Sequence, residues 1–236
     1  MRDAAPEQTQ QPVFLADYAP PPVTVTQVAL RIRLDPEATR IAARLTCERR
    51  GPGDMVLDGE GLRTLSVTLD GTALPHDDLI SGDRLTIPDA PDAFTLETEV
   101  EIAPARNKAL SGLYMSNGMY CTQCEAEGFR RITWMLDRPD VMATYEVEID
   151  ADLPVLLSNG DEVARGHWRD PWPKPTYLFA LVAGNLIATT RQALITCGTT
   201  ALLKVVAESD AGLWLDWGLK PDLLLPRSEQ RKNQTP

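Results

Sequence analysis

The strongest constraint on the fold is a strict alternation of apolar and polar residues that begins at Val23. From Val23 to Leu34 the chain reads Val-Thr-Val-Thr-Gln-Val-Ala-Leu-Arg-Ile-Arg-Leu. Successive side chains of a strand point to opposite faces, so a period of two predicts a half-buried strand. Asp35-Pro36 supplies a turn and Thr39 to Cys47 alternates back, which makes a hairpin. Further strands are expected at Met55–Leu57, Leu62–Leu69, Arg84–Ile87, Phe94–Ile102, Thr144–Ile149, Val155–Ser158, Glu162–Trp168 and Tyr177–Ala183. Gly, Pro and Asp clusters such as Asp70-Gly71 separate them, with a tight turn at Asn159-Gly160. Many short strands at this spacing predict an all-β fold, a saddle-like antiparallel sheet or sandwich.

Three stretches break the rhythm. Residues 1–12, after which Pro20-Pro21-Pro22 sets an extended entry, read as a disordered leader. Residues 104–143 are dense in Gly, Cys, Met, Tyr and charge and read as a long excursion from the sheets. Such excursions carry function more often than they carry fold. After Val206 the alternation fades, and Pro221 and Pro226 interrupt any long helix, so residues 207–236 are expected to be a frayed tail.

Composition narrows the partners. A formal net charge of -11 repels phosphate backbones, which argues against nucleic acid. No run approaches the ~20 apolar residues that span a bilayer, so no membrane partner is expected. The start lacks a basic flank followed by an apolar core, and four cysteines in 236 residues are too sparse for a disulfide scaffold. A cytoplasmic chain with reduced thiols is the reading that follows.

The chemistry-bearing residues are few. A hydrolytic zinc site needs about three nitrogen or oxygen ligands, commonly two histidines one helical turn apart. The two histidines here, His76 and His167, are remote in sequence, and each reads as a packing or surface residue. Cys121-Thr-Gln-Cys124 has C-x-x-C spacing but no second pair and no βαβ surroundings, so a dithiol or zinc role is a minor reading beside two packed thiols. No G-x-S-x-G elbow or phosphate-cradling glycine loop occurs, and nucleophilic catalysis lacks its base. The run Gln123-Cys-Glu-Ala-Glu-Gly-Phe-Arg-Arg131 gathers two carboxylates and two guanidinium groups, which on composition alone read as a local ion-pair set.

The same region carries a resemblance. Leu110-Ser-Gly-Leu-Tyr114, Tyr120-Cys-Thr-Gln-Cys-Glu-Ala-Glu-Gly-Phe-Arg-Arg-Ile-Thr133 and Leu136-Asp-Arg-Pro-Asp-Val141 resemble the zinc aminopeptidases of the aminopeptidase N family, its bacterial branch above all. Leu156-Leu-Ser-Asn-Gly160 and Asp170-Pro-Trp-Pro-Lys-Pro-Thr-Tyr-Leu-Phe-Ala-Leu-Val-Ala-Gly184 agree in order. The similarity covers residues 13–206 and implies that family's amino-terminal β domain, which packs against a catalytic domain. That domain's G-A-M-E-N and H-E-x-x-H motifs do not occur in the sequence.

The family's Gln-x-Glu falls on Gln123 and Glu125. The resemblance implies that Glu125 helps hold a peptide's N-terminal amino group, that Gln123 lines the first side-chain pocket, and that Glu127 is structural. Were Glu125 buried, Arg130 or Arg131 would be expected to offset the cost to its charge. No residue here is implied in catalysis or metal binding, zinc being the cofactor of full-length relatives and a separate catalytic domain the implied partner. The loss of similarity after residue 206 leads us to expect a truncated or frame-shifted product that is not catalytically competent alone. The alternative is a standalone β-sandwich binding or interaction module.

Overall fold

The computed structural model describes Ala16, residues 18–185, 202–209, 212–218 and 223–226; the leader expected over 1–12 lies outside them. The alternating runs become β1 (Val23–Arg33), β2 (Thr39–Arg49), β3 (Met55–Asp58), β4 (Arg63–Leu69), β5 (Thr72–Ala73), β6 (Ile80–Ser81), β7 (Arg84–Ile87) and β8 (Ala93–Ile102). After them come β9 (Gly112–Ser116), β10 (Met119–Gln123), β11 (Ala143–Asp150), β12 (Val155–Ser158), β13 (Asp161–Ala164), β14 (His167–Lys174) and β15 (Leu181–Gly184). Among the described residues, no helix is long and apolar enough to cross a membrane.

These strands form an eight-stranded sheet in the order β13-β14-β11-β1-β2-β8-β4-β5, a four-stranded sheet β12-β15-β10-β9 and a three-stranded sheet β3-β7-β6. The all-β, multi-sheet architecture is the one expected. Pairing is antiparallel except between β1 and β11, which run parallel. A parallel pair needs a long connection, and here it holds strands β2 to β10.

Alternation fixes which face is which. Along β2, Ile41, Ala43, Leu45 and Cys47 point inward while Arg40, Ala42, Arg44 and Thr46 point out. The inward set joins Leu57, Leu85 and Ile87 of the three-stranded sheet, and Leu113, Leu156 and Leu181 of the four-stranded sheet, in one apolar cluster. The outward set forms cross-strand ion pairs: Arg31 with Glu148 at 2.7 Å, Arg40 with Glu101 at 3.5 Å and Arg44 with Glu97 at 3.7 Å. Between β1 and β2, Arg31 faces Ala42 and Arg44 faces Ala29, which keeps those like charges from standing opposite each other. Arg33 does face Arg40, but Asp150 and Glu101 stand on their other sides.

Several expectations are corrected. The excursion over 104–143 is not strand-free, since β9 and β10 form a hairpin within it. Its turn is Asn117-Gly118, both at positive φ (50° and 78°), the geometry of a two-residue hairpin turn. The strand expected over Glu162–Trp168 is two strands, β13 and β14, separated at Gly166 with φ 76°. The one expected from Tyr177 opens instead with a 3-10 turn, Thr176–Leu178, before β15.

The chain divides into two units, the first ending at Asn185 and the second beginning at Leu186. In the second, where a frayed tail was expected after residue 206, the described residues pair into an antiparallel sheet. Its strands are β16 (Lys204–Ser209), β17 (Gly212–Asp216) and β18 (Leu223–Pro226), in that order. Apolar cross-strand partners such as Val205 and Leu215 account for the pairing, and the Trp214 indole N–H donates to Ser209 Oγ at 3.1 Å.

Candidate functional site

Strand β10 lies inside the four-stranded sheet, between β15 and β9, and ends at Gln123. The chain then turns so tightly that a side chain at Gly128 would put its Cβ 2.3 Å from the Gln123 carbonyl oxygen, so glycine is required there. The Gly128 N–H donates to the Cys124 carbonyl at 2.8 Å, and a 3-10 turn, Phe129–Arg131, follows. Cys124 and Phe129 are buried beneath the turn. The Phe129 ring meets Phe179 edge-on at 5.2 Å and Tyr145 at 6.3 Å.

With the underside pinned, Gln123 and Glu125 stand on the exposed side of the same short turn, and Gln123 Nε2 donates to the Glu125 carbonyl at 3.3 Å. The peptide bond after Glu125 is cis. Among the described residues, the Glu125 carboxylate makes no hydrogen bond or ion pair.

Its neighbours in sequence are all committed. Arg130 Nε donates to Asp137 at 3.0 Å, the Arg130 backbone N–H donates to the same carboxylate at 3.1 Å, and Glu127 pairs with Arg130 at 3.4 Å. Arg131 pairs with Glu60. The offset anticipated from Arg130 or Arg131 is therefore not made: both guanidinium groups are engaged elsewhere, and Glu125 is exposed.

Asp137 is the hub of this arrangement. It is only 1% exposed, and besides Arg130 it accepts a hydrogen bond from Thr176 Oγ at 2.5 Å. The turn that follows Glu125 is thereby tied to the segment leading into β15. Sequence reasoning assigned Asp137 and Thr176 no role, because nothing local distinguishes a buried hub from an ordinary loop aspartate.

The remaining candidates are not brought together. His76 lies in a four-residue helix, His76–Leu79, 3.7 Å from Asp77, whereas His167 on β14 has Nε2 2.7 Å from Glu146. Cys121 and Cys124 are free thiols. Burial, with the Asp137 charge adding to it, pushes the Cys124 thiol up to about 12, and burial raises Cys121 as well. Thiols held protonated are poor nucleophiles, which counts against a dithiol role. Among the described residues, no group of three or more His, Cys, Asp or Glu side chains is placed to hold a metal ion. Among the described residues the donor set does not fit a zinc site.

With that geometry established, the likenesses to known proteins are consistent. Residues 80–179 match the Peptidase M1 N-terminal domain. The aminopeptidase N of Caulobacter vibrioides is 48% identical over 214 residues, which cover 85% of this chain and 25% of that one. The crystal structure of Legionella pneumophila aminopeptidase A in complex with aspartic acid is 35% identical, with a TM-score of 0.63, over 77% of this chain and 23% of that chain. The M1 zinc metallopeptidase of Deinococcus radiodurans shares the fold, with a TM-score of 0.59 at 18% identity over 82% of this chain and 46% of that one.

The chain belongs to the M1 peptidase family, of which it carries the amino-terminal β domain. Within that class, its curated relatives include proteins named aminopeptidase N, and it spans about a quarter of the Caulobacter relative's length.

Proposed function

We propose that this chain supplies the wall of an aminopeptidase site that receives a peptide's free N-terminal amine, with Glu125 as acceptor and Gln123 beside it. The supporting observation is the contrast at the turn: Arg130, Arg131, Glu127 and Asp137 are all paired, and Glu125 is left open. A carboxylate without an internal partner can accept charge-assisted hydrogen bonds from an ammonium, each worth roughly 1.5–3 kcal/mol. An internal peptide segment has no ammonium to offer, so such a wall selects chain ends. Gln123, its amide held toward the Glu125 backbone, borders the space where the first side chain would lie.

The hydrolytic chemistry is assigned to a zinc-bearing companion domain, because the described residues here do not fit the metal. Zinc, where bound, polarises a carbonyl and lowers the pKa of its water. Residues 1–236 by themselves are expected to leave an alanyl chromogenic substrate intact even with zinc added. Rates near those of full-length relatives would overturn that. The positive test is a chimera in which this chain replaces the matching part of the Caulobacter aminopeptidase N. There Glu125→Gln should lower kcat/KM on the free-amine substrate by roughly 10- to 100-fold. Unchanged turnover would remove Glu125 from the site.

A further inference from the structure

Strand β14 carries a bulge that its own sheet does not use. Tyr145 pairs with Asp170 and Ala143 with Lys174, so Pro171, Trp172 and Pro173 together face the one residue between, Thr144. Extra residues of this kind re-aim a side chain, and two prolines leave no N–H for the ladder. The Trp172 N–H donates instead to the Asp170 carboxylate at 3.2 Å. Asp170 and Lys174, both largely buried, close the base of the bulge with an ion pair. Beyond it, Thr176 is hydrogen-bonded to Asp137 and Phe179 is packed on Phe129. The frame is pinned at both ends.

On this frame Trp172 is 76% exposed. Leu178 and Leu157 are exposed as well, and Asn159, two residues after Leu157, hydrogen-bonds to the Leu178 carbonyl and the Ala180 N–H. A tryptophan on a proline-stiffened loop loses little conformational freedom on burial, which is the character of an interface anchor.

We propose that Trp172 is the anchor by which this domain seats against its zinc-bearing companion, a role that rests on the function proposed above. Two observations select that occupant. This chain spans 25% of the Caulobacter relative, so three quarters of such a polypeptide lies outside it. The Trp172 segment is also tied through Thr176, Asp137 and Arg130 to the turn after Glu125, so a partner seated there bears on the amine site.

The test compares the 236-residue chain with the Caulobacter chimera. In each, the Trp172 fluorescence is taken as the difference between the parent and Trp172→Phe, and acrylamide quenching is measured. The indole should be freely quenched in the isolated chain and blue-shifted in the chimera, with a quenching constant lower by about fivefold. Equal quenching in both overturns the proposal, whether or not the chimera hydrolyses substrate. Protection already present in the isolated chain, through dimerisation seen by sedimentation, also overturns it, because the occupant is then a second copy. Glu125→Gln separates the two readings: it should lower amine-dependent kcat/KM by roughly 10- to 100-fold without altering Trp172 quenching. A chimera that protects Trp172 but is indifferent to Glu125→Gln sinks the amine site and keeps the anchor.

Discussion

Two acidic surfaces of this domain look alike in composition and differ in what their charges do. On the outer face of the large sheet, Glu97, Glu101, Glu146 and Glu148 each stand within 4 Å of a basic side chain on a neighbouring strand. At the turn after β10, Glu127 and Asp137 are paired in the same way, and Glu125 is not. The sheet face spends its charge on register, since each carboxylate finds its base only in one strand alignment. The turn leaves one charge for something else. A count of acidic residues does not tell the two surfaces apart; their pairing does.

The sharpest way to break this comparison is to remove the hub that keeps the turn's other charges paired. Asp137→Ala would strand Arg130, whose side chain is 22% exposed, and orphan Thr176 Oγ. Breaking a buried pair costs 3–5 kcal/mol, and Glu127 and Asp58, at 3.4 and 3.9 Å, still neighbour Arg130. A loss of about 3 kcal/mol in urea unfolding is therefore expected, with the midpoint lowered and the slope retained. A loss under about 1 kcal/mol would put this pairing in the same class as the surface pairs.

The next effect is set by pH. Burial pushes the Cys47 and Cys124 thiols up to about 12. Each folded value lies above the unfolded value of about 8.5, so the stability from burying a neutral thiol is complete below that pH. It is lost as pH climbs toward the folded value. In between, the unfolded chain has released a proton that the folded chain keeps, which costs roughly 1.4 kcal/mol per pH unit for each thiol. The urea midpoint should fall between pH 9 and 11, and Cys124→Ala should remove about half of the slope these two thiols produce. Tyr145, also raised by burial, steepens the fall above about pH 10. A midpoint flat across that range would contradict the burial of Cys124.

The sheets were legible because period two is local: Val23–Arg33 and Arg84–Ile87 fall where alternation puts them. The β9–β10 hairpin is legible in principle, since Asn117-Gly118 is the signal also present at Asn159-Gly160, although there the flanking strands β12 and β13 join different sheets rather than a hairpin. The β9–β10 turn was obscured by the charge and sulfur around it. The parallel pairing of β1 with β11 could not be read locally, because it depends on where a chain returns after nine strands. The exposure of Gln123 and Glu125 and the commitment of Arg130 to Asp137 are tertiary facts of the same kind. Residue identity marked the candidates, and only packing reveals which guanidinium is already taken.

The smallest effects belong to the two carboxylates that define the contrast. Arg44 and Glu97 are 3.7 Å apart with side chains 65% and 44% exposed, so water screens the pair. A double-mutant cycle with Arg44→Ala and Glu97→Ala should return a coupling of about 0.2–1 kcal/mol, smaller in high salt. Thr68 Oγ, which donates to Glu97 at 3.1 Å, adds to the Glu97→Ala single cost but cancels from the coupling. Glu125→Gln should shift stability by less than about 0.5 kcal/mol, because no internal contact is lost, while the same change should lower the chimera's kcat/KM by roughly 10- to 100-fold. A carboxylate that matters to a reaction and not to the fold is placed for a ligand. Were Glu125→Gln to destabilise the chain by more than about 1 kcal/mol, Glu125 would have a structural partner after all, and the two surfaces would differ only in degree.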